Sequence, residues 1–147
     1  MGAGSAYTEE DYRENAAFRV GLHEFLRRAD ERARERGLTA QQYLLLLLVR
    51  GHPKYPAVSI GDISSAMRLQ QSSTSLLVDR CVKRGVLLRS EDPVDRRRAL
   101  VHLSQEGQRL LDDIMEANRR DLGRLEATIF GTSLRDAIQT ETSDVVA

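Results

Sequence analysis

The chain has 147 residues, of which 30% are charged and 5% aromatic, and its 22 basic side chains equal its 22 acidic ones. This length allows a single domain with a real core, and the zero net charge argues against a nonspecific binder of polyanions. The longest apolar run, Tyr43–Val49, is too short to span a membrane. The uncharged start Met1–Ala6 resembles neither a signal nor a transit peptide, so we expect a cytoplasmic protein.

Charge is nevertheless unevenly distributed along the chain. Residues 58–103 hold eight basic against five acidic side chains, a net of +3. Residues 104–147 hold five against nine, a net of −4. The middle segment is therefore the favoured place for contact with an anionic partner.

A long first helix is predicted from Thr8 to Arg36. Thr8 and Asp11 have the spacing of a capping box, and Gly37 suits the left-handed position after a helix end. Apolar side chains recur at helical spacing along one face: Phe18, Leu22, Phe25, Leu26, Ala29 and Ala33. About 28 helical residues would extend ~42 Å, which is more than this domain needs and suggests packing against a second copy.

The second helix is predicted to be central. Thr39 and Gln42 form another capping-box pattern, and the run Leu44–Val49 is apolar on every side, so we expect this helix to be buried. Gly51 ends it, and the following loop, His52–Pro56, contains two prolines and cannot continue a helix or a sheet.

The segment Ser59–Arg84 contains two short helical patterns joined by a tight turn at Arg68-Leu69. The first begins with the capping-box pair Ser59 and Asp62. The second begins with Gln70-Gln71, although glutamine is a poor N-cap residue. A weak helix start beside strong ones is expected where function overrides local propensity.

A hairpin is predicted next, with strands 86–89 and 99–103 around the charged loop Ser90–Arg98. Pro93 belongs in a turn, and Arg96, Arg97 and Arg98 place positive charge at the tip. Two helices and such a hairpin make a winged helix-turn-helix, whose second helix enters the major groove of DNA. The alternative is an ordinary solvated loop in which Asp92 and Asp95 pair with the arginines.

A last long helix is predicted from Ser104, which can cap it. Its apolar seam, at spacings of three and four, comprises Leu111, Ile114, Asn118, Leu122, Leu125 and Ile129. Gly131–Ser133 should break the chain, Leu134–Thr140 can form a short helix, and Glu141–Ala147 should fray.

The hairpin loop reads Asp92-Pro93-Val94-Asp95-Arg96-Arg97, and the chain continues after it with Val101-His102-Leu103-Ser104-Gln105-Glu106-Gly107. This motif is similar to the wing signature of the MarR (multiple antibiotic resistance regulator) family, with Ser104 in place of the usual threonine. The resemblance to this family covers roughly residues 8–130. Leu77–Gly85 resembles the end of its recognition helix, with Cys81 where leucine is usual.

The resemblance implies a fold that is mainly α with a small β-hairpin wing. Residues 1–147 would be one domain, with a winged helix-turn-helix DNA-binding region over 38–103 and a helical dimerisation region over 8–36 and 104–147. The implied protein is a transcriptional regulator, expected to be a repressor, that binds a pseudo-palindromic operator in double-stranded DNA as a homodimer.

Site residues follow from the helix pattern, the wing and the resemblance together. The residues expected to contact bases or the sugar-phosphate backbone are Gln70, Gln71, Ser72, Ser73, Ser75, Arg80, Arg96, Arg97 and Arg98. Asp92 and Asp95 are expected to shape the wing. A small aromatic or phenolic effector is implied by relatives of this family, and His23 and Tyr43 are the candidate polar groups for it.

Other classes of function have weaker support. His23, His52 and His102 are far apart and have no metal-ligand spacing with Cys81. No glycine-rich phosphate loop and no catalytic triad pattern is present, so we expect no cofactor, no metal and no enzyme. The open alternatives are a winged helix that docks on an acidic protein partner, and a regulator in which Cys81 is a redox switch.

Overall fold

The structure is a computed structural model and describes residues 4–129. In chain order, its elements are α1 (Glu9–Glu35), α2 (Ala40–Arg50), β1 (Val58–Ser59), α3 (Ile60–Met67), α4 (Gln71–Arg84), β2 (Leu87–Glu91), β3 (Ala99–Leu103) and α5 (Gln105–Ile129). The fold is mainly α with one small antiparallel sheet, which confirms the fold class expected from the sequence.

The predicted capping boxes form and set where the helices begin. Thr39 and Gln42 cap α2 reciprocally, and Ser59 and Asp62 do the same for α3. At the start of α1, the Asp11 N–H donates to the Thr8 hydroxyl, while the Thr8 N–H donates to the Asp11 carboxylate. Each pair satisfies N–H groups that a helix start leaves without intrahelical partners.

The sheet corrects two details of the predicted hairpin. Val86 is not in a strand, because its N–H closes the end of α4 by donating to the Cys81 carbonyl. Ser90 and Glu91 are in β2, paired with Leu100 and Ala99, so the loop comprises only residues 92–98. A third strand, β1, which was not predicted, pairs with β3 and makes β3 central.

The core lies among α2, α3, α4 and the sheet, and α2 is central to it, as expected, except that Leu44 is exposed. Leu45, Leu46 and Val49 of α2 have no exposed surface. Cys81 of α4 is equally buried, and desolvation raises the pKa of its thiol to about 11. A thiol that remains protonated at neutral pH is a packing residue and a poor nucleophile.

The chain divides into two compact units. One comprises residues 4–29 and 118–129 of the described chain, and the other is Asp30–Ala117. The division cuts both long helices, so it differs from the predicted regions 8–36, 38–103 and 104–147, which stay predictions. The predicted break at 131–133, the helix at 134–140 and the frayed end at 141–147 lie outside the described residues.

The predicted seam of α5 is buried at Leu111, Ile114 and Asn118, whereas Leu122 is exposed. Neither α5 nor any other helix within residues 4–129 combines the length and the apolarity that a membrane crossing requires.

Ser104 and Gly107 join the end of α4 to the start of α5. The Ser104 hydroxyl donates to the Gly85 carbonyl at 2.6 Å and accepts from the Gly107 N–H at 3.0 Å. Gly107 packs directly on the backbone of Val86, and a Cβ at this position would overlap the Val86 carbonyl oxygen. The glycine of the wing motif is therefore required for a close backbone approach.

Gly107→Ala should destabilise the protein by about 1–3 kcal/mol, because the added methyl group forces the α4–α5 junction apart. Gly123→Ala in the same helix is the matched control, since an added methyl group there meets nothing within 4 Å. That change should stabilise by roughly 0.5–1 kcal/mol through helix propensity. Urea unfolding followed by circular dichroism measures both, and equal effects would contradict the packing argument.

Candidate nucleic-acid interface

The turn between α3 and α4 depends on Arg68. This residue has a left-handed backbone with a φ of 54°, and the N–H of Leu69 closes α3 by donating to the Ser64 carbonyl. A non-glycine residue in this region costs roughly 1–2 kcal/mol. The turn redirects the chain within three residues and allows α4 to pack across α3.

The start of α4 lacks a side-chain cap. Gln70 is the N-cap residue, and its side chain makes no capping hydrogen bond. Thr74 is buried, and its hydroxyl donates back to the Gln70 carbonyl at 3.1 Å. The Gln70 side chain is therefore not used to start the helix.

The residues of α4 divide into three groups. Thr74, Leu77, Val78 and Cys81 face the core. Gln71 and Ser75 line a cleft between α4 and the wing. The wing consists of β2, β3 and the loop of residues 92–98. The group exposed on the outer side comprises Ser72, Ser73, Leu76 and Arg80. Leu76 was not predicted either as a core residue or as a contact residue.

The wing loop is held by its two aspartates. The Asp92 carboxylate accepts from the Val94 N–H at 2.9 Å, and the Asp95 carboxylate accepts from the Arg97 N–H at 3.1 Å. Backbone bonds from Asp92 to Arg98 and from Arg98 to Asp95 close the loop. These bonds give the loop one backbone conformation, with Val94 at its exposed tip.

The three wing arginines have different surroundings. Arg98 donates to the Ser59 hydroxyl at 3.0 Å and lies 3.8 Å from the Asp62 carboxylate, so it connects the wing to α3. Arg97 is 93% exposed and makes only a long contact of 3.4 Å with Asp95. Arg96 is exposed and makes no ion pair with any residue that the structure describes. Arg96 and Arg97 are therefore the two available to a partner.

The α4–wing cleft brings part of the predicted site together. It has a volume of about 380 Å³ and is bordered by Gln71 and Ser75 on one side and Arg97 and Arg98 on the other. Arg89 of β2 donates to Asp79 of α4 at 2.8 Å, so an ion pair connects the wing to this helix. The helix and the wing therefore act as one surface.

The Asp62 carboxylate connects the segments around this cleft. It accepts from the Ser59 N–H and from Lys54 Nζ, each at 3.0 Å. Burial, the largest single effect, would raise the pKa of Asp62, but the hydrogen bonds from Ser59 and Lys54 outweigh it and lower that pKa to about 2. The carboxylate is therefore ionised at neutral pH and only 15% exposed.

The candidate effector residues lie in different units. His23 is exposed on α1, and Tyr43 is half-buried on α2 against the core. A shared ligand cleft stays a prediction. Among residues 4–129, no group of three histidine, cysteine or acidic side chains is arranged to hold a metal ion.

Part of the chain matches the model of a known protein family. Residues 36–98 match the profile of the MarR family. YsmB of Bacillus subtilis, called an uncharacterized HTH-type transcriptional regulator, is 38% identical over 58 residues, which are 40% of each chain. YkoM of the same organism, described in the same words, is 30% identical over 84 residues, 56% of this chain and 51% of that protein. The chain thus matches about half the length, or less, of these relatives.

Solved structures extend the similarity to the whole fold. MepR of Staphylococcus aureus, crystallised as a DNA complex, superposes with a TM-score of 0.67 at 18% identity, over 95% of this chain and 97% of that one. AbsC of Streptomyces coelicolor, a MarR family transcriptional regulator, gives a TM-score of 0.69 at 13% identity, over 97% and 95%. At these identities the likeness establishes the fold.

Asp62→Asn should cost on the order of 2 kcal/mol of unfolding free energy at pH 7, because one pKa unit corresponds to about 1.4 kcal/mol. The folded pKa lies below the usual 3.8, so this stability is present above about pH 4 and is lost as the pH falls towards 2. Urea unfolding across this range should show the variant and the wild type converging. Asp112→Asn, at an exposed carboxylate of α5, is the control, and a pH-independent gap for Asp62→Asn would contradict the assignment.

Proposed function

We propose that this chain is a MarR-family winged helix-turn-helix protein that regulates transcription by binding specific sequences in double-stranded DNA. The polar outer side of α4 enters the major groove, and the wing reaches the flanking backbone and minor groove. The observation that carries this proposal is the α4–wing cleft, in which side chains of both elements lie around one opening. The DNA complex of MepR, which has the same fold, supports it.

The proposed contacts with DNA differ according to the chemistry of each side chain. Ser72 and Ser73 are exposed near the start of α4, where short hydroxyl side chains let the backbone approach base edges closely. Gln70 and Gln71 offer amide groups that can pair with adenine. Arg80, Arg96 and Arg97 are exposed cations for phosphate oxygens. Arg98 is placed to orient the wing through Ser59 and Asp62.

We further propose that the chain acts as a homodimer. Tyr12, Val20 and Leu26 of α1 are each more than half exposed, Val20 at 70%. Large exposed apolar side chains along one long helix are expected to be covered by a partner, and a second copy brings two α4 helices to one duplex. A pseudo-palindromic operator would then have half-sites about 10 base pairs apart.

We also propose that the protein is a repressor that a small aromatic ligand releases from DNA. His23 and Tyr43, which lie in different units, stay separate candidates for a polar group that binds this ligand. The cysteine-switch alternative has little support, because the Cys81 thiol is buried with a raised pKa. Docking on an acidic protein is also disfavoured, because the outer side of α4 is mostly polar and a protein-binding face should be more apolar.

Selection of bound sequences from random duplex DNA tests the function directly. We expect an enriched inverted repeat whose halves are separated by about one helical turn. Enrichment of a single unrepeated site would remove the dimer model while leaving DNA recognition intact. Failure to enrich any sequence would remove the proposed function.

Arg96→Ala and Arg97→Ala should each weaken binding to every duplex and reduce the slope of log K against log salt by about 0.9, the value for one lost phosphate contact. The slope can be measured by filter binding or fluorescence anisotropy at roughly 50 to 200 mM salt, a range over which the loss of phosphate contacts changes the affinity. Arg109→Ala on α5, whose arginine is already paired with Glu106, should leave the slope unchanged. Unchanged slopes in both wing variants would show that the wing does not contact the backbone.

A further inference from the structure

Leu76 is an unexplained apolar residue in the middle of α4. It is 60% exposed, although the neighbouring Leu77 and Val78 are buried in the core. The residues at its i−4, i−3, i+3 and i+4 positions are all polar: Ser72, Ser73, Asp79 and Arg80. Leu76 is therefore an isolated aliphatic group on a polar face.

Leu76 lies on the outward side of α4, opposite the buried residues. Successive residues of a helix are separated by 100°, so Ser72, Leu76 and Lys83 lie within about 40° of one line along α4. Thr74 and Cys81 lie almost opposite and are buried. A ligand that approaches the outer side of α4 therefore comes close to the Leu76 side chain as well as to Ser72 and Lys83.

The surroundings of Leu76 are suited to a nucleic acid. Arg80 and Lys83 are exposed beside it and are attractive to phosphates. Asp79, the one acidic residue of α4, forms an ion pair with Arg89 at 2.8 Å. An aliphatic side chain cannot form hydrogen bonds, and the apolar group that the major groove offers it is the 5-methyl group of thymine.

We infer that Leu76 determines specificity by contacting the 5-methyl group of one thymine in each half-site. This inference rests on the proposed function and adds to it a base type and a residue. Burial of one methyl group contributes about 0.8 kcal/mol, which corresponds to a roughly fourfold change in affinity. The neighbouring hydroxyl residues would supply hydrogen bonds, while Leu76 selects for thymine by shape and apolarity.

The test replaces each thymine of the selected operator with uracil, which lacks only the 5-methyl group, one symmetric pair at a time. With the wild-type protein, one pair of positions should weaken binding roughly fourfold per half-site, and the other pairs should have little effect. The Leu76→Ala variant should bind the unmodified operator more weakly than the wild type. Uracil at that one pair of positions should no longer weaken its binding, while the effect of uracil at the other pairs should stay as in the wild type. Because Leu76 is exposed, the variant should unfold at the wild-type temperature.

Leu44→Ala is the matched control, since Leu44 is an exposed leucine of α2, outside both α4 and the wing. It should keep the wild-type pattern of uracil sensitivity. If Leu76→Ala kept that pattern too, or if no uracil position affected the wild type, the inference would be wrong while DNA recognition stood. A protein that enriches no duplex sequence at all would remove the proposed function and this inference together.

Discussion

The Asp62 carboxylate lies where the loop before α3, the start of α3 and the base of the wing meet. It caps α3 through Ser59, pairs with Lys54 and faces Arg98 from the wing. Burial penalises such a charge unless hydrogen bonds compensate for it, and here they do so well that its pKa is about 2. One ionised group thus fixes the wing relative to α3, while the pair Arg89–Asp79 fixes the wing relative to α4. Ion pairs within the protein therefore connect the parts of the surface proposed to bind DNA.

The helix proposed to contact DNA begins differently from the helices that support it. α2 and α3 begin with complete capping boxes, whereas α4 begins at a glutamine without a side-chain bond and follows a left-handed arginine. Those features weaken α4 locally, and packing of Leu77, Val78 and Cys81 in the core compensates. The polar residues at its start are then free for a partner, as is expected where function overrides propensity.

Much of the architecture could be predicted because it depends on local signals. Capping pairs and glycines mark helix ends within a few residues, and Pro93 with three arginines marks the wing loop. The strand β1 was not predictable, because two residues carry no periodic pattern. The role of Arg98 was also hidden, since its partner Ser59 is 39 residues away and three consecutive arginines look alike in sequence. Leu76 was overlooked because a leucine in an amphipathic helix is usually part of the core.

The central claim is that α4 and the wing contact adjacent grooves of the same duplex. Single cysteines at Ser72→Cys and Val94→Cys can carry an iron chelate that cleaves nearby DNA, while the native Cys81 is buried and should not be labelled. We predict that the two derivatives cut the selected operator at positions about five base pairs apart, half a helical turn, with the pattern repeated in each half-site. Cleavage by only one derivative, or by both at the same base pairs, would contradict the account.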